Sequence, residues 1–213
     1  MGTLRLALGA LIGVCFLIFV VAWIAGAVHF RVKNHPSRAD RERGLRRTLL
    51  LVVGVCAVSV LIRYFLRSFW RHLQYWQPEL ALLGAALAVA STALLLWARW
   101  HLGTMWSSAP MVQEHHELRT DGPYGIVRHP IYSGFLGLIT GAMLADGFGV
   151  WIAVLVVTIP WLLYRVHVED GLMAGRFGAA YDTYRARVPA LIPRPRTSAA
   201  RAGHHHARGK RHT

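Results

Sequence analysis

The chain has little charge for its 213 residues, and least of all acid. Charged residues make up 16%, where a soluble domain carries about 25%. Ten are acidic against 24 basic. That shortage excludes an ordinary soluble domain. Cysteine is nearly absent: Cys15 and Cys56 lie in separate apolar stretches without partners at ligand spacing, which argues against a zinc site or a disulfide framework. Several catalytic signatures are missing too. His115-His116-Glu117 lacks the second histidine of a His-Glu-x-x-His metalloprotease helix, and no Gly-x-Gly-x-x-Gly or P-loop occurs. A Gly-x-Ser-x-Gly nucleophile elbow is also absent.

What is present is apolar. Hydrophobic residues reach 54% and gather in long blocks, the pattern of a bilayer protein. The net charge of +14 lies between and after these blocks, where anionic lipid headgroups attract it. No nucleic-acid-reading motif accompanies the charge, so membrane lipids are the expected partners, not nucleic acid. His204, His205 and His206 sit in a Pro-, Arg- and Ala-rich tail and read as solvated residues, with no metal site expected.

Five apolar blocks stand out: Leu6 to Phe30, Thr48 to about Phe69, about Glu79 to Trp97, Ile131 to Leu144, and Val150 to Tyr164. The first is too long for a signal-peptide core of roughly 7–15 residues, although Ala25 and Ala27 resemble a cleavage site. In the second, Arg63, Arg67 and Arg71 snorkel from one face. The last two are short and separated only by Ala145 to Gly149, which predicts a helical hairpin, spanning or re-entrant. Pro160 is expected to kink the fifth helix. Beyond Tyr164, apolar residues from Val166 to Tyr184 predict an amphipathic helix along the membrane or the bundle, ending before Val188-Pro189.

The expected fold class is therefore all-α: a polytopic membrane bundle of about five transmembrane helices, the last two a hairpin, followed by a cytoplasmic amphipathic helix. Basic residues set its orientation. Only Arg5 precedes the first block, whereas Arg31, Lys33, Arg38, Arg41, Arg43, Arg46 and Arg47 follow it. The hairpin turn has none, and the C-terminal segment is rich in them. This places the N-terminus outside and the C-terminus in the cytoplasm. Residues 1–78 read as N-terminal helices with a basic loop, 79–193 as the catalytic region, and 194–213 as a disordered tail.

Polar and aromatic residues concentrate between His115 and Gly134. Pro130 biases His129 away from helix and opens the fourth helix. Arg128 and His129 then stand at a helix N-terminus, a place for a carboxylate or phosphate. Gly134 in the first turn allows a close approach to the backbone. Arg165, His167, Glu169 and Asp170 follow the fifth block, with Arg165 and Glu169 on one face. A hairpin brings this acidic cluster beside the cationic one. The alternative is a solvated interfacial ion pair without a catalytic role.

Taken in order, the motifs resemble a known family. They are Leu102-Gly103-x-x-Trp106-Ser107, His116-x-Leu118, Gly122-Pro123-Tyr124, Arg128-His129-Pro130-x-Tyr132-x-Gly134, Arg165-x-x-x-Glu169-Asp170, and Phe177-Gly178-x-x-Tyr181-x-x-Tyr184-x-x-x-Val188-Pro189. The set is similar to that of the isoprenylcysteine carboxyl methyltransferase family, relatives of the phospholipid N-methyltransferases, over about residues 97–193. The resemblance implies an integral membrane enzyme that uses S-adenosylmethionine to methylate a lipophilic small molecule or lipid. It implies cofactor contacts at His116, Leu118, Tyr124, Arg128, His129, Pro130, Tyr132 and Glu169, and catalytic roles for Arg165 and Glu169. The inner membrane of a bacterium is the expected location, with the active site on its cytoplasmic side. Two departures stand out: Asp170 replaces the family's usual second glutamate, and Gly125-Ile126 replaces larger residues. Other readings are a nicotinamide-dependent membrane reductase of the sterol reductase type, and a non-catalytic protein binding lipid or a partner through its basic segments.

Overall fold

The computed structural model describes residues 2–33, 75–103 and 118–194, with side chains described only through residue 26 in the first segment. The described residues are helical, with no strand among them. Helix α1 is Gly2–Lys33, α2 is Pro78–Leu102, α3 is Pro130–Asp146, α4 is Gly149–Phe177 and α5 is Ala179–Arg187, with a 3-10 turn at Gly122–Gly125. Three helices (α1, α2 and α4) are long and apolar enough to cross a membrane. The chain is an integral membrane protein. The second apolar block, near 48–69, lies outside the described residues, as does the tail from 195.

α2 and α3 form the centre, and small residues bring their backbones together. A Cβ on Gly84 would stand 2.6 Å from both the Gly141 carbonyl oxygen and the Ala145 nitrogen. One on Gly141 would stand 2.7 Å from the Gly84 oxygen. The register is antiparallel: Gly84 faces Gly141 and Ala145, and Leu95 meets Gly134. Gly137, against Ser91, and Gly141 serve the same packing, for without a hydrophobic drive between helices in lipid, close van der Waals contact is what holds them. Gly134 also permits a close approach, but its visitor is the Leu95 side chain, not a ligand.

α1 runs alongside in the same direction as α2. Leu8 packs with Ala81 and Ala85, and Ile12 and Cys15 join Ala88 and Leu138 in the core. One end of the bundle is tied by the hairpin turn. Trp76 Nε1 donates to the Ala145 carbonyl at 2.9 Å, Arg5 to the Asp146 carbonyl at 3.0 Å, and Trp151 Nε1 to the Asp146 carboxylate at 3.2 Å. The turn residue Gly147 has φ 105°, a left-handed conformation that costs glycine little. The predicted hairpin is present.

One expectation needs correction. α4 does not end near Tyr164: it continues as helix through Pro160 to Phe177, 29 residues, about 44 Å. Pro160 leaves one hydrogen bond unmade, and the change from apolar to charged residues marks a change of surroundings, not of backbone. The segment expected to be one amphipathic helix is thus the last turns of α4, a break at Gly178 with φ 52°, and the short α5. α3 at 17 residues is about 26 Å long, shorter than the hydrocarbon thickness of about 30 Å, in keeping with the short fourth block. The loop from Gly122 to His129 completes its course along α2: the Tyr124 hydroxyl lies 3.5 Å from the Ala98 carbonyl.

Candidate active site

The hairpin places the start of α3 beside the middle of the last third of α4, and α5 folds back over both. The elements meet at a carboxylate pair. Asp170 is the inner member, 12% exposed at its side chain. Arg128 donates to its Oδ2 at 2.7 Å and, at 3.5 Å, to its Oδ1. His129 Nε2 lies 2.8 Å from Oδ1, and the Tyr181 hydroxyl also donates to Oδ1. Glu169 is the outer member, 25% exposed. Its Oε1 accepts from the Tyr132 hydroxyl and, at 3.0 Å, from Arg165 Nη2. Its Oε2 lies 3.5 Å from His129 Nδ1. The His129 and Tyr132 rings stack, 5.6 Å apart and 15° from parallel. Arg165 Nε reaches the Tyr132 hydroxyl at 3.2 Å, and its guanidinium lies over the Trp161 ring.

His129 thus has a carboxylate oxygen at each ring nitrogen. Burial alone favours the neutral ring, but hydrogen bonds and charge from Asp170 and Glu169 outweigh it and raise the pKa above the ordinary histidine value. The group is a cation in waiting, not a general base. Burial pushes the Tyr184 hydroxyl up to about 12 and raises Tyr181 further, with its carboxylate partner adding to the effect. Both phenols stay protonated and act as donors.

A second layer fixes the Arg128-His129 dipeptide. The chain after α5 runs beside it as an extended strap. Arg128 N–H donates to the Pro189 carbonyl at 2.8 Å and His129 N–H to the Ala190 carbonyl at 3.0 Å. The Ser133 hydroxyl donates to the Leu191 carbonyl at 2.6 Å. Arg128 Nη1 donates to the Val188 carbonyl at 2.6 Å and to that of Arg185 at 3.2 Å. Tyr184 reaches the Tyr124 carbonyl at 2.7 Å. On the other flank, His101 at the end of α2 lies 3.0 Å from Asp121 Oδ2, and this hydrogen bond keeps the Asp121 carboxyl below the usual range.

Of the residues singled out in the sequence, Arg128, His129, Tyr132, Arg165 and Glu169 come together around these carboxylates. Pro130 is the buried first residue of α3. Tyr124 is buried a turn away, against α2 and α5. Leu118 is half-buried at the edge of the described chain, and His116 lies outside it. The helix N-terminus expected to receive an anion has its Arg128 and His129 backbone donors taken by the strap. Tyr181, Ser133 and the strap itself were not anticipated as parts of the site. The signal for Tyr181 was its three-residue spacing from Tyr184 just after Gly178.

Residues 80–175 match the sequence model of the isoprenylcysteine carboxyl methyltransferase (ICMT) family. That stretch, which carries every carboxylate and cation of the central cluster, is similar to the ICMT family. Protein-S-isoprenylcysteine O-methyltransferase B of Arabidopsis thaliana is 40% identical over 83 residues, 38% of this chain and 42% of that protein. Methanethiol S-methyltransferase 2 of Bradyrhizobium diazoefficiens is 41% identical over 78 residues, 36% of this chain and 29% of that protein. A solved structure of a eukaryotic intramembrane Ras methyltransferase, ICMT, superposes with a TM-score of 0.53 at 21% identity, over 66% of this chain and 52% of that one. This last likeness establishes an ICMT-like membrane fold. The chain spans less than half the length of both curated relatives.

Proposed function

We propose that the protein is an S-adenosylmethionine-dependent methyltransferase acting on a lipophilic or membrane-embedded acceptor, with residues 79–193 as its catalytic region. The observation that carries this reading is the position of Glu169 within a segment similar to the ICMT family: a partly open carboxylate beside a flat His129–Tyr132 stack and the Arg165 guanidinium.

The residues present fit such a donor. Glu169 has the charge and the access that an ammonium group requires. The Tyr132 face beside it suits a sulfonium. Arg128 spends its hydrogen bonds on Asp170 and on strap carbonyls, so its proposed role is to position its neighbours rather than to contact the donor. Contacts from His116, Leu118 and Tyr124 remain part of the proposal. When bound, S-adenosylmethionine supplies a methyl group on an electrophilic sulfur that leaves as a neutral thioether. Arg165 orients an anionic acceptor, a carboxylate or a thiolate, through its guanidinium fork. Such an acceptor has no proton to lose, so the step needs no general base. Alignment of acceptor and methyl group then accounts for most of the rate.

The relatives' names point to two acceptor classes, an isoprenylated cysteine and a small thiol. The long apolar helices favour the lipophilic class, reached from the bilayer at the cytoplasmic end of the bundle, in a bacterial inner membrane with the N-terminus outside. Detergent-solubilised protein, given methyl-labelled S-adenosylmethionine and an S-isoprenylated cysteine, is expected to yield a base-labile labelled ester. Arg165→Ala is expected to lower the rate at least about tenfold, the scale of one lost charge-assisted hydrogen bond. Label appearing only with a simple thiol would overturn the lipophilic assignment.

A further inference from the structure

Asp170 stands one residue from the carboxylate that the proposed function uses, yet it faces the other way. Its side chain is half as exposed as that of Glu169, 12% against 25%. It collects three donors from two separate parts of the chain: Arg128 and His129 ahead of α3, and Tyr181 on α5. Glu169 collects a different set, Tyr132, Arg165 and, more loosely, His129. The imidazole is the one group the two sets share.

We propose that Asp170 is a positioning residue: with Arg128 and Tyr181 holding its carboxylate still, it keeps His129 as an imidazolium whose Nδ1 side faces Glu169, and so fixes Glu169 for the donor's ammonium group. The functional half of this proposal rests on the methyltransferase reading. Its structural half does not.

The geometry supports each step. The contact from His129 Nε2 to Asp170 is 2.8 Å, whereas that from Nδ1 to Glu169 is 3.5 Å, so Asp170 is the stronger anchor of the ring. Arg128 and Tyr181 join His129 on Asp170, crowding its Oδ1, while its Oδ2 accepts from Arg128. The backbone at His129 is held independently by the Ala190 carbonyl, so the ring swings only about its own side-chain bonds. The charged and titratable groups around the imidazole are Asp170, Glu169 and the stacked Tyr132 directly, Arg128 and Tyr181 through Asp170, and Arg165 through Glu169.

The sign of the pH effect follows. An imidazolium stabilised in the folded state contributes fully below the ordinary histidine pKa, about 6.5, and its contribution disappears as pH rises through the higher folded value. Removing the Asp170 charge brings that loss to lower pH. A residue that merely supports the fold would lower affinity equally at every pH.

The experiment uses the full chain in detergent, with ring-labelled histidine followed by NMR and the His129 resonance assigned by its absence in His129→Gln. In the wild type His129 is expected to titrate above pH 6.5. In Asp170→Asn the midpoint is expected to fall by about one unit or more, the scale of one lost neighbouring charge, while Asp170→Glu retains a raised midpoint. Tyr184→Phe, which breaks a contact with the Tyr124 carbonyl only, is expected to leave it unchanged. In parallel, the pH above which S-adenosylhomocysteine affinity weakens is expected to fall in Asp170→Asn by the same amount as the His129 midpoint. A wild-type His129 that titrates below 6.5 would overturn the proposal whether or not any variant folds. So would an Asp170→Asn midpoint equal to the wild type's. Failure of the wild type to bind S-adenosylhomocysteine at any pH would count against the methyltransferase reading, and the imidazole titration would still decide whether Asp170 fixes the ring.

Discussion

Gly141→Leu is expected to abolish the folded bundle. The first added carbon would fall 2.7 Å from the Gly84 carbonyl oxygen and 2.8 Å from the Ala88 nitrogen. Both are backbone atoms of α2, so no rotamer change relieves the clash. The helices must part along the seam that runs from Ala145 to Gly134. Overpacking a core commonly costs about 1–3 kcal/mol. Separating two helices held by close contact forfeits more, because lipid offers no compensating hydrophobic drive. Size-exclusion chromatography of the solubilised variant should show aggregate or no protein. Gly175→Ala is the control: a Cβ there meets nothing within 4 Å, and alanine in place of glycine in the last turn of α4 favours the helix. A monodisperse Gly141→Leu protein would contradict the α2–α3 packing.

Arg128→Ala is expected to be the most damaging substitution among the polar residues of the site. The side chain is 10% exposed and makes four hydrogen bonds, two to Asp170 and two to carbonyls at the end of α5. Removing one partner of a buried ion pair costs about 3–5 kcal/mol. His129 and Tyr181 still hold Asp170, so a loss of about 2–3 kcal/mol is expected, lowering the melting temperature by roughly 5–10 °C for a chain of this length. Arg128→Lys is expected to recover less than half of that, because an ammonium group cannot fork between a carboxylate and two carbonyls. Thermal unfolding followed by tryptophan fluorescence measures both. A variant as stable as the wild type would mean that the strap is held without Arg128.

The sequence made the broad architecture readable because hydropathy and glycine placement speak directly to it. The blocks at Leu6–Phe30 and Glu79–Trp97 became α1 and α2, and the Ala145 to Gly149 turn became the hairpin. The end of α4 was misjudged because polarity changes at Arg165 while the helix continues, and the more local sign, Phe177-Gly178, marks the true end. In the site, Arg128, His129, Tyr132, Arg165 and Glu169 could be named from their motifs. Their division of labour could not. Spacing in sequence places Glu169 and Asp170 side by side, but only packing reveals that one carboxylate faces outward and the other is enclosed by three donors. The strap was invisible for a similar reason. Its contribution is made by the carbonyls of Val188 to Leu191, and backbone acceptors leave no signature in side-chain identity.

The most direct test of the central claim is calorimetric binding of S-adenosylhomocysteine to the solubilised full chain beside its Glu169→Ala variant. If Glu169 holds the donor's ammonium group, the wild type binds at micromolar levels and the variant, still folded, loses at least about tenfold in affinity, the scale of one charge-assisted hydrogen bond. Equal binding by the two proteins would contradict the assignment of Glu169, and no binding by a well-folded wild type, in detergent or in lipid nanodiscs, would contradict the methyltransferase reading itself.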